Sequence, residues 1–326
     1  MSWIRMGDGA SDAEQALEAI LTKVPRWAGA DLRYCSVSGG ISNTNWRVQV
    51  GAGGEDVASA GAGPESGKDV FLKVPGRGTE MFITREAAHE ASRRAEACGF
   101  GVAVLDYLPE SGVEIFAFMA EFRASSNLDF LRPVVRHNAV RALRAFNDAP
   151  RLSLTKTIFD MVDEHVRQVA EVGGRVPADQ AFLMQRLGEA RAALTASGLD
   201  LVPCMNDTLA GNFMIDGQDH VRLVDFEYAS NNERAYELAL WFDEMAFSAE
   251  VEREMIEDYW GRWDEQTAAR TQVLKALGDL KWATWAMIQE RVSTLDFDYY
   301  KYGTWKLRRA RTLFHHPDWP LWLRLL

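Results

Sequence analysis

PCMNDTLAGNFMIDGQDHVRLVDFEY, residues 203–228, reads as two short loops joined by a hairpin. Asp207 and Asn212 stand in a D-x-x-x-x-N spacing. An apolar run (Phe213, Met214, Ile215) follows, then a turn at Asp216-Gly217, then a second run (Val221, Leu223, Val224) that ends on Asp225. Three oxygen-bearing side chains thus fall at the ends of short strands. Mg²⁺ takes hard oxygen ligands and commonly only one or two carboxylates from protein, leaving positions for phosphate and water. Asn212 and Asp225 suffice for that, and Asp207 is left to accept the proton of an attacking hydroxyl. The spacing is also met in ordinary loops, so its meaning depends on what the rest of the chain supplies.

The chain has 326 residues, 47% hydrophobic, with a formal net charge of −11. That is enough apolar content for one large domain or two lobes, and the acidic balance argues against nucleic acid as a partner. Cys35, Cys98 and Cys204 are odd in number and lack C-x-x-C spacing, which predicts reduced thiols in a cytoplasmic protein. The opening residues MSWIRMGDGASD hold no apolar stretch of signal-peptide length, and no run is long enough to span a bilayer, so membrane insertion is not expected.

Upstream of the opening stretch, Ser11 and Glu14 form a capping box ahead of Leu17, Ile20, Leu21 and Val24 at helical spacing, and Pro25 ends the run. Strand, small polar loop and strand then follow: residues 34–38, the loop GGISNTN at 39–45, and 46–50. Such a loop brings backbone amides close to a phosphate, and equally it serves as a Gly-Gly hairpin turn. Residues 51–68 are Gly, Ala, Ser and Glu rich without periodicity and read as a surface loop. Lys73 lies inside the apolar strand 69–74. It either snorkels from a sheet edge or serves as the lysine that pairs with nucleotide phosphates, which needs a helix glutamate to orient it. Glu86 and Glu90 are one turn apart on the helix that starts at Arg85, and Glu86 is preferred because it opens that helix. Residues 102–107 and 114–121 complete an expected five-stranded, largely antiparallel sheet, with 109–112 as the turn between them. From residue 127 onward the periodicity is helical, apart from the strands of the opening stretch.

Taken in order, Gly39 to Asn45, Lys73, Glu86, Asp207, Asn212 and Asp225 resemble the choline/ethanolamine kinase family, within the wider aminoglycoside phosphotransferase-like kinases. GGISNTNW, LKVPGRGTE, NDTLAGNF, VDFEYASNN and LKWATWAMIQERVSTLDFDYYKY look like that family's segments, and the similarity runs from about Asp31 to Arg311. The resemblance implies an α+β, bilobal, protein-kinase-like fold: a small antiparallel-sheet N-lobe over residues 1–122 and a mainly helical C-lobe over 123–326. It implies transfer of the γ-phosphoryl group of ATP, with Mg²⁺, to the hydroxyl of choline or a related small cationic amino alcohol. Asp207 would then be the catalytic base, and Asn212 and Asp225 the metal ligands. Lys73, oriented by Glu86, would bind phosphate oxygens, Gly40, Ser42, Asn43 and Asn45 would line the phosphate loop, and Met119 and Glu121 would sit in a hinge offering backbone groups to adenine.

The C-terminal stretch bears on the acceptor. Trp282 and Trp285 are three residues apart on an expected helix, as are Tyr299 and Tyr302. Aromatic faces attract a quaternary ammonium, and Glu244, in a segment that resembles the family's acidic one, adds a Coulomb attraction. Aromatics at helical spacing are also ordinary core. Two departures stand out. Met205 replaces the histidine that the family usually carries two residues before the catalytic Asp, and the loop at 51–68 is long. Ethanolamine, thiamine or an aminoglycoside are the alternative acceptors, and a nucleotide-binding protein without transfer is the alternative activity.

Overall fold

The structure is a computed structural model that describes residues 2–38, 43–51, 69–76 and 79–326. Gly40, Ser42 and nearly all of the 51–68 loop lie outside the described residues. The chain divides into two compact units, Met1–His89 with Val102–Ala120, and Glu90–Gly101 with Glu121–Leu326.

The first unit is built on an antiparallel sheet. Its strands are β1 (Ile4–Arg5), β2 (Leu32–Val37), β3 (Asn43–Val50), β4 (Asp69–Pro75), β5 (Val104–Leu108) and β6 (Val113–Ala117), in the order β1-β2-β3-β4-β6-β5. The expected sheet had five strands. The sixth is the two-residue β1, too short for periodicity to reveal, which pairs Ile4 with Tyr34 at the sheet edge. Two other expectations are adjusted. The last strand stops at Ala117 rather than Glu121, and β3 starts at Asn43, so Asn43 and Asn45 belong to a strand and not to a loop. Pairing explains the second change: Asn43 lies opposite Pro75 and Asn45 opposite Lys73.

Alternation does the sorting on β3, where Trp46, Val48 and Val50 are buried while Arg47 and Gln49 are not. Trp46, Leu72 and Ile115 form a row across β3, β4 and β6 and join Leu17 and Leu21 of α1 (Asp12–Leu21) in one core. The capping box at Ser11 and Glu14 is formed as expected, with both halves of the reciprocal pair made.

The second unit is mainly helical. Strand β8 (Leu201–Cys204) pairs with β11 (Ser230–Glu233), and β9 (Phe213–Ile215) and β10 (Val221–Leu223) form the hairpin, flanked by the short β7 (Arg123–Ala124). Around them lie α3 (Pro133–Asn147), α4 (Ile158–Glu171), α5 (Gln180–Ala196), α6 (Arg234–Met245), α7 (Ala249–Trp260), α8 (Glu265–Val292), α9 (Tyr299–Phe314) and α10 (Trp319–Leu325). Helix α8 is the central one. It packs against α4, α6, α9 and α10 and buries residues on every side, which is why its sequence shows no single apolar stripe. A second core stacks Phe213 on Trp241 with centroids 4.8 Å apart, and Phe130 meets both rings edge-on. Hairpin and α6 are thereby locked together. No helix among the described residues is long and apolar enough to cross a membrane.

Candidate active site

In the second unit the loop after β8 carries Asp207, and long-range partners hold it. The backbone N–H groups of Met205 and Asn206 each donate to the Glu237 carboxylate on α6, both at 2.8 Å. Burial pushes the Glu237 pKa up to about 7, although both N–H bonds favour the carboxylate. Asn206 has φ +60°, a left-handed conformation that Asn tolerates better than most residues. Its amide donates to the Tyr228 carbonyl (2.8 Å) and Ser230 Oγ (2.9 Å), and its oxygen accepts from Asn232 Nδ2 (2.8 Å). Thr208 Oγ1 donates to the Glu237 carbonyl. Met205 itself is fully buried in the apolar core. The position that the family fills with histidine is thus a packing position here, while Glu237 and the Asn206–Asn232 pair immobilise the loop.

Asp207 is 8% exposed. The Asn212 amide donates to its backbone carbonyl at 2.7 Å and to its Oδ2 at 3.3 Å, whereas its buried Oδ1 has no hydrogen-bond partner among the described residues. Burial first, and then the charge of Asp225, raise the Asp207 pKa from the ordinary carboxylate range. The Val224 N–H donates to the Asn212 carbonyl at 3.0 Å, which keeps the two loops adjacent, and Asp225 leaves β10 with φ +68°. Two mutually repelling carboxylates, a buried orphan oxygen and an amide whose N–H₂ is already committed form a hard-oxygen donor set suited to a divalent cation. Asn212 and Asp225 are the residues that would hold it.

The expected acceptor residues also come together in this unit. Trp282 and Trp285 on α8 meet edge-to-face at 5.4 Å, and Trp285 meets Tyr299 and Tyr302 of α9 at 5.7 and 6.1 Å. Tyr228, which sequence reasoning did not single out, joins them 5.3 Å from Trp282. Tyr299 Oη is bonded to Ser293 Oγ, so it braces the cluster. Glu244 is ion-paired to Lys306 and lies 3.3 Å from the Arg309 guanidinium. Lys306 Nζ is itself 5.2 Å from the Tyr302 ring centre. Lys281, beside Trp282 in sequence, is completely buried, with Nζ 3.1 Å from the Trp282 centroid and 4.5 Å from that of Tyr228.

In the first unit, register places Asn45, Lys73 and Glu114 opposite one another across β3, β4 and β6, on the face away from Leu72. Glu114 is 6% exposed and bonded to His89 Nδ1 at 3.2 Å, and His89 stacks on Tyr107 with centroids 4.2 Å apart. Glu86 opens α2 (Arg85–Ala97), and its charge reaches Tyr107. Glu114 is an acidic cross-strand neighbour of Lys73 that only strand register reveals. Met119 is half-buried and Glu121 exposed, and both follow the end of β6.

The sequence model of the choline/ethanolamine kinase family matches residues 34–259, which contain both the strand of Lys73 and the hairpin between Asn212 and Asp225. The chain belongs to the choline/ethanolamine kinase family. A probable ethanolamine kinase of Arabidopsis thaliana is 26% identical over 294 residues, covering 82% of this chain and 75% of the relative. Among solved structures, a choline/ethanolamine kinase family protein from Mesorhizobium loti superposes with TM-score 0.78 at 24% identity, covering 95% of this chain and 98% of the other. An ethanolamine kinase of Plasmodium vivax gives TM-score 0.75 at 18% identity, covering 97% and 92%. The expected protein-kinase-like fold is therefore the one found, and membership of the choline/ethanolamine kinase family places the chain among phosphotransferases with alcohol acceptors. Within it, the residues that sequence reasoning missed are Glu237, Asn206, Tyr228, Lys281 and Glu114. Lys281 alone left a local signal, a lysine in the otherwise apolar LKWATWAM.

Proposed function

We propose that the protein transfers the γ-phosphoryl group of ATP to the hydroxyl of a small amino alcohol, choline or ethanolamine, with Asp207 as the general base. The observation that carries this reading is the Asp207 carboxylate: buried, anchored through Asn212, and presenting one unpaired oxygen. Such an oxygen orients an acceptor hydroxyl and takes its proton as the O–P bond forms. Asn212 and Asp225 would hold Mg²⁺, which when bound neutralises phosphate charge. In the first unit, Lys73, with Asn43 and Asn45 on the neighbouring strand, supports the role of phosphate contacts; Gly40 and Ser42 are assigned the same role from sequence. Glu86 is assigned to orient Lys73, and Met119 and Glu121 to offer backbone groups to adenine. Trp282, Trp285, Tyr299, Tyr302 and Glu244 are assigned to the acceptor side. The acidic composition and reduced cysteines favour a cytoplasmic protein.

The test is ADP release from ATP over choline, ethanolamine, thiamine and an aminoglycoside, with Mg²⁺ and with EDTA, for the wild type and Asp207→Asn. Turnover of an amino alcohol that EDTA abolishes and Asp207→Asn lowers by about 10³-fold or more is expected, because the variant removes the base and keeps the shape. Unchanged turnover in Asp207→Asn would remove the base assignment.

A further inference from the structure

Both halves of the expected cation site are already satisfied from within the chain. The carboxylate half is Glu244, ion-paired to Lys306 with Arg309 3.3 Å away. The aromatic half is Trp282, whose face carries the Lys281 ammonium at 3.1 Å, with the Tyr228 ring at 4.5 Å. Lys281 Nζ has no hydrogen-bond partner among the described residues, and the residue is 0% exposed. A buried ammonium with no acceptor is rare, because three donors are desolvated without return. What remains to stabilise it is ring attraction and the charges of Asp207 and, more weakly, Glu244.

We infer that Lys281 is an acceptor-selectivity residue: its side chain occupies the ring face a trimethylammonium group would need, so the site takes an alcohol whose head group is not a quaternary ammonium. This rests on the kinase reading above and deepens it toward ethanolamine-like acceptors. A head group with N–H donors can bind carboxylates through hydrogen bonds without the ring face. A quaternary head group has no N–H and depends on that face. The amine fills the space over Trp282 whichever protonation state it holds. Burial draws the Lys281 pKa down from its ordinary value and the Asp207 charge draws it back up, so the carboxylate helps to keep the lysine where it is.

Two measurements on the full chain test this. Binding of tetramethylammonium chloride, which needs neither ATP nor catalysis, is followed by tryptophan fluorescence and by calorimetry in the wild type and in Lys281→Ala, which vacates the ring face and keeps helix propensity. Turnover of choline and ethanolamine is followed by ADP release in the same proteins. The expected result is no tetramethylammonium binding by the wild type up to tens of millimolar, binding by Lys281→Ala, and a choline-to-ethanolamine ratio of kcat/KM that rises at least tenfold in the variant. Folded Lys281→Ala that gains no affinity overturns the inference. So does a wild type that binds tetramethylammonium, and that measurement decides the matter even if the variant fails to fold. If neither protein phosphorylates any alcohol yet Lys281→Ala gains tetramethylammonium binding, the kinase reading falls and only the occupation of the Trp282 face by Lys281 stands.

Discussion

Asn206→Ala tests whether the catalytic loop is held by the amide network in the way its geometry implies. The side chain makes three hydrogen bonds, buried ones to Ser230 Oγ and Asn232 Nδ2 and a part-buried one to the Tyr228 carbonyl, all at 2.8–2.9 Å. Each is worth about 1 kcal/mol net, and more where the partner is left orphaned. Ser230 Oγ keeps its donation to the Lys156 carbonyl, but Asn232 Nδ2 loses the acceptor it has among the described residues. Alanine at φ +60° adds about 1 kcal/mol of backbone strain. The sum is roughly 4 kcal/mol, which for a unit of this size lowers Tm by roughly 8–16 °C. Because Asp207 is the next residue, kcat per folded molecule should fall about 10–100-fold, while KM for ATP stays within about threefold. Calorimetry gives the first number, and steady-state kinetics corrected by active-site titration gives the second. Pairing it with Asn232→Ala in a double-mutant cycle isolates the 2.8 Å bond, with an expected coupling of about 1–2 kcal/mol. A lowered Tm with unaltered kcat per folded molecule would refute the claim that this network, rather than residue 205, positions the base.

Lys73→Ala should raise KM for ATP and lower kcat together, by about 10²-fold in kcat/KM, with little change in Tm; nucleotide titration in the absence of acceptor checks the binding part. His165 is buried against Thr284 and the Lys281 carbonyl, and burial followed by the Lys281 charge pushes its pKa down to about 3. Between that value and the unfolded value near 6.5 the unfolded chain binds more protons. His165 therefore costs stability as pH falls through this window, by about 1.4 kcal/mol per pH unit at the steepest. The urea midpoint of the wild type minus that of His165→Gln should accordingly be lower at pH 5 than at pH 7.5. A difference that does not move with pH would contradict a neutral buried imidazole.

Local chemistry was legible in the residues themselves. Ser11 with Glu14, Asp216-Gly217 between two apolar runs, and the alternation of Trp46, Val48 and Val50 each depend on neighbours only a few positions away. Backbone propensity and turn stereochemistry act over that distance, so periodicity reports them. The spacing of Asp207, Asn212 and Asp225 was legible for the same reason, since one short stretch of loop and hairpin carries all three. What held and surrounded these groups was not legible. Glu237 reaches Met205 and Asn206 because α6 turns one face toward the loop after β8, and Glu114 joins Lys73 because β4 and β6 pair in one register out of several. Lys281 is the sharpest case. Its neighbours in sequence predicted an aromatic face open to a cation, and the packing of α8 against the loop that carries Tyr228 put the chain's own ammonium on that face. Spacing along a helix sets which side chains share a side, but only the packing of one element on another decides what that side touches, because burial is a property of the assembled core.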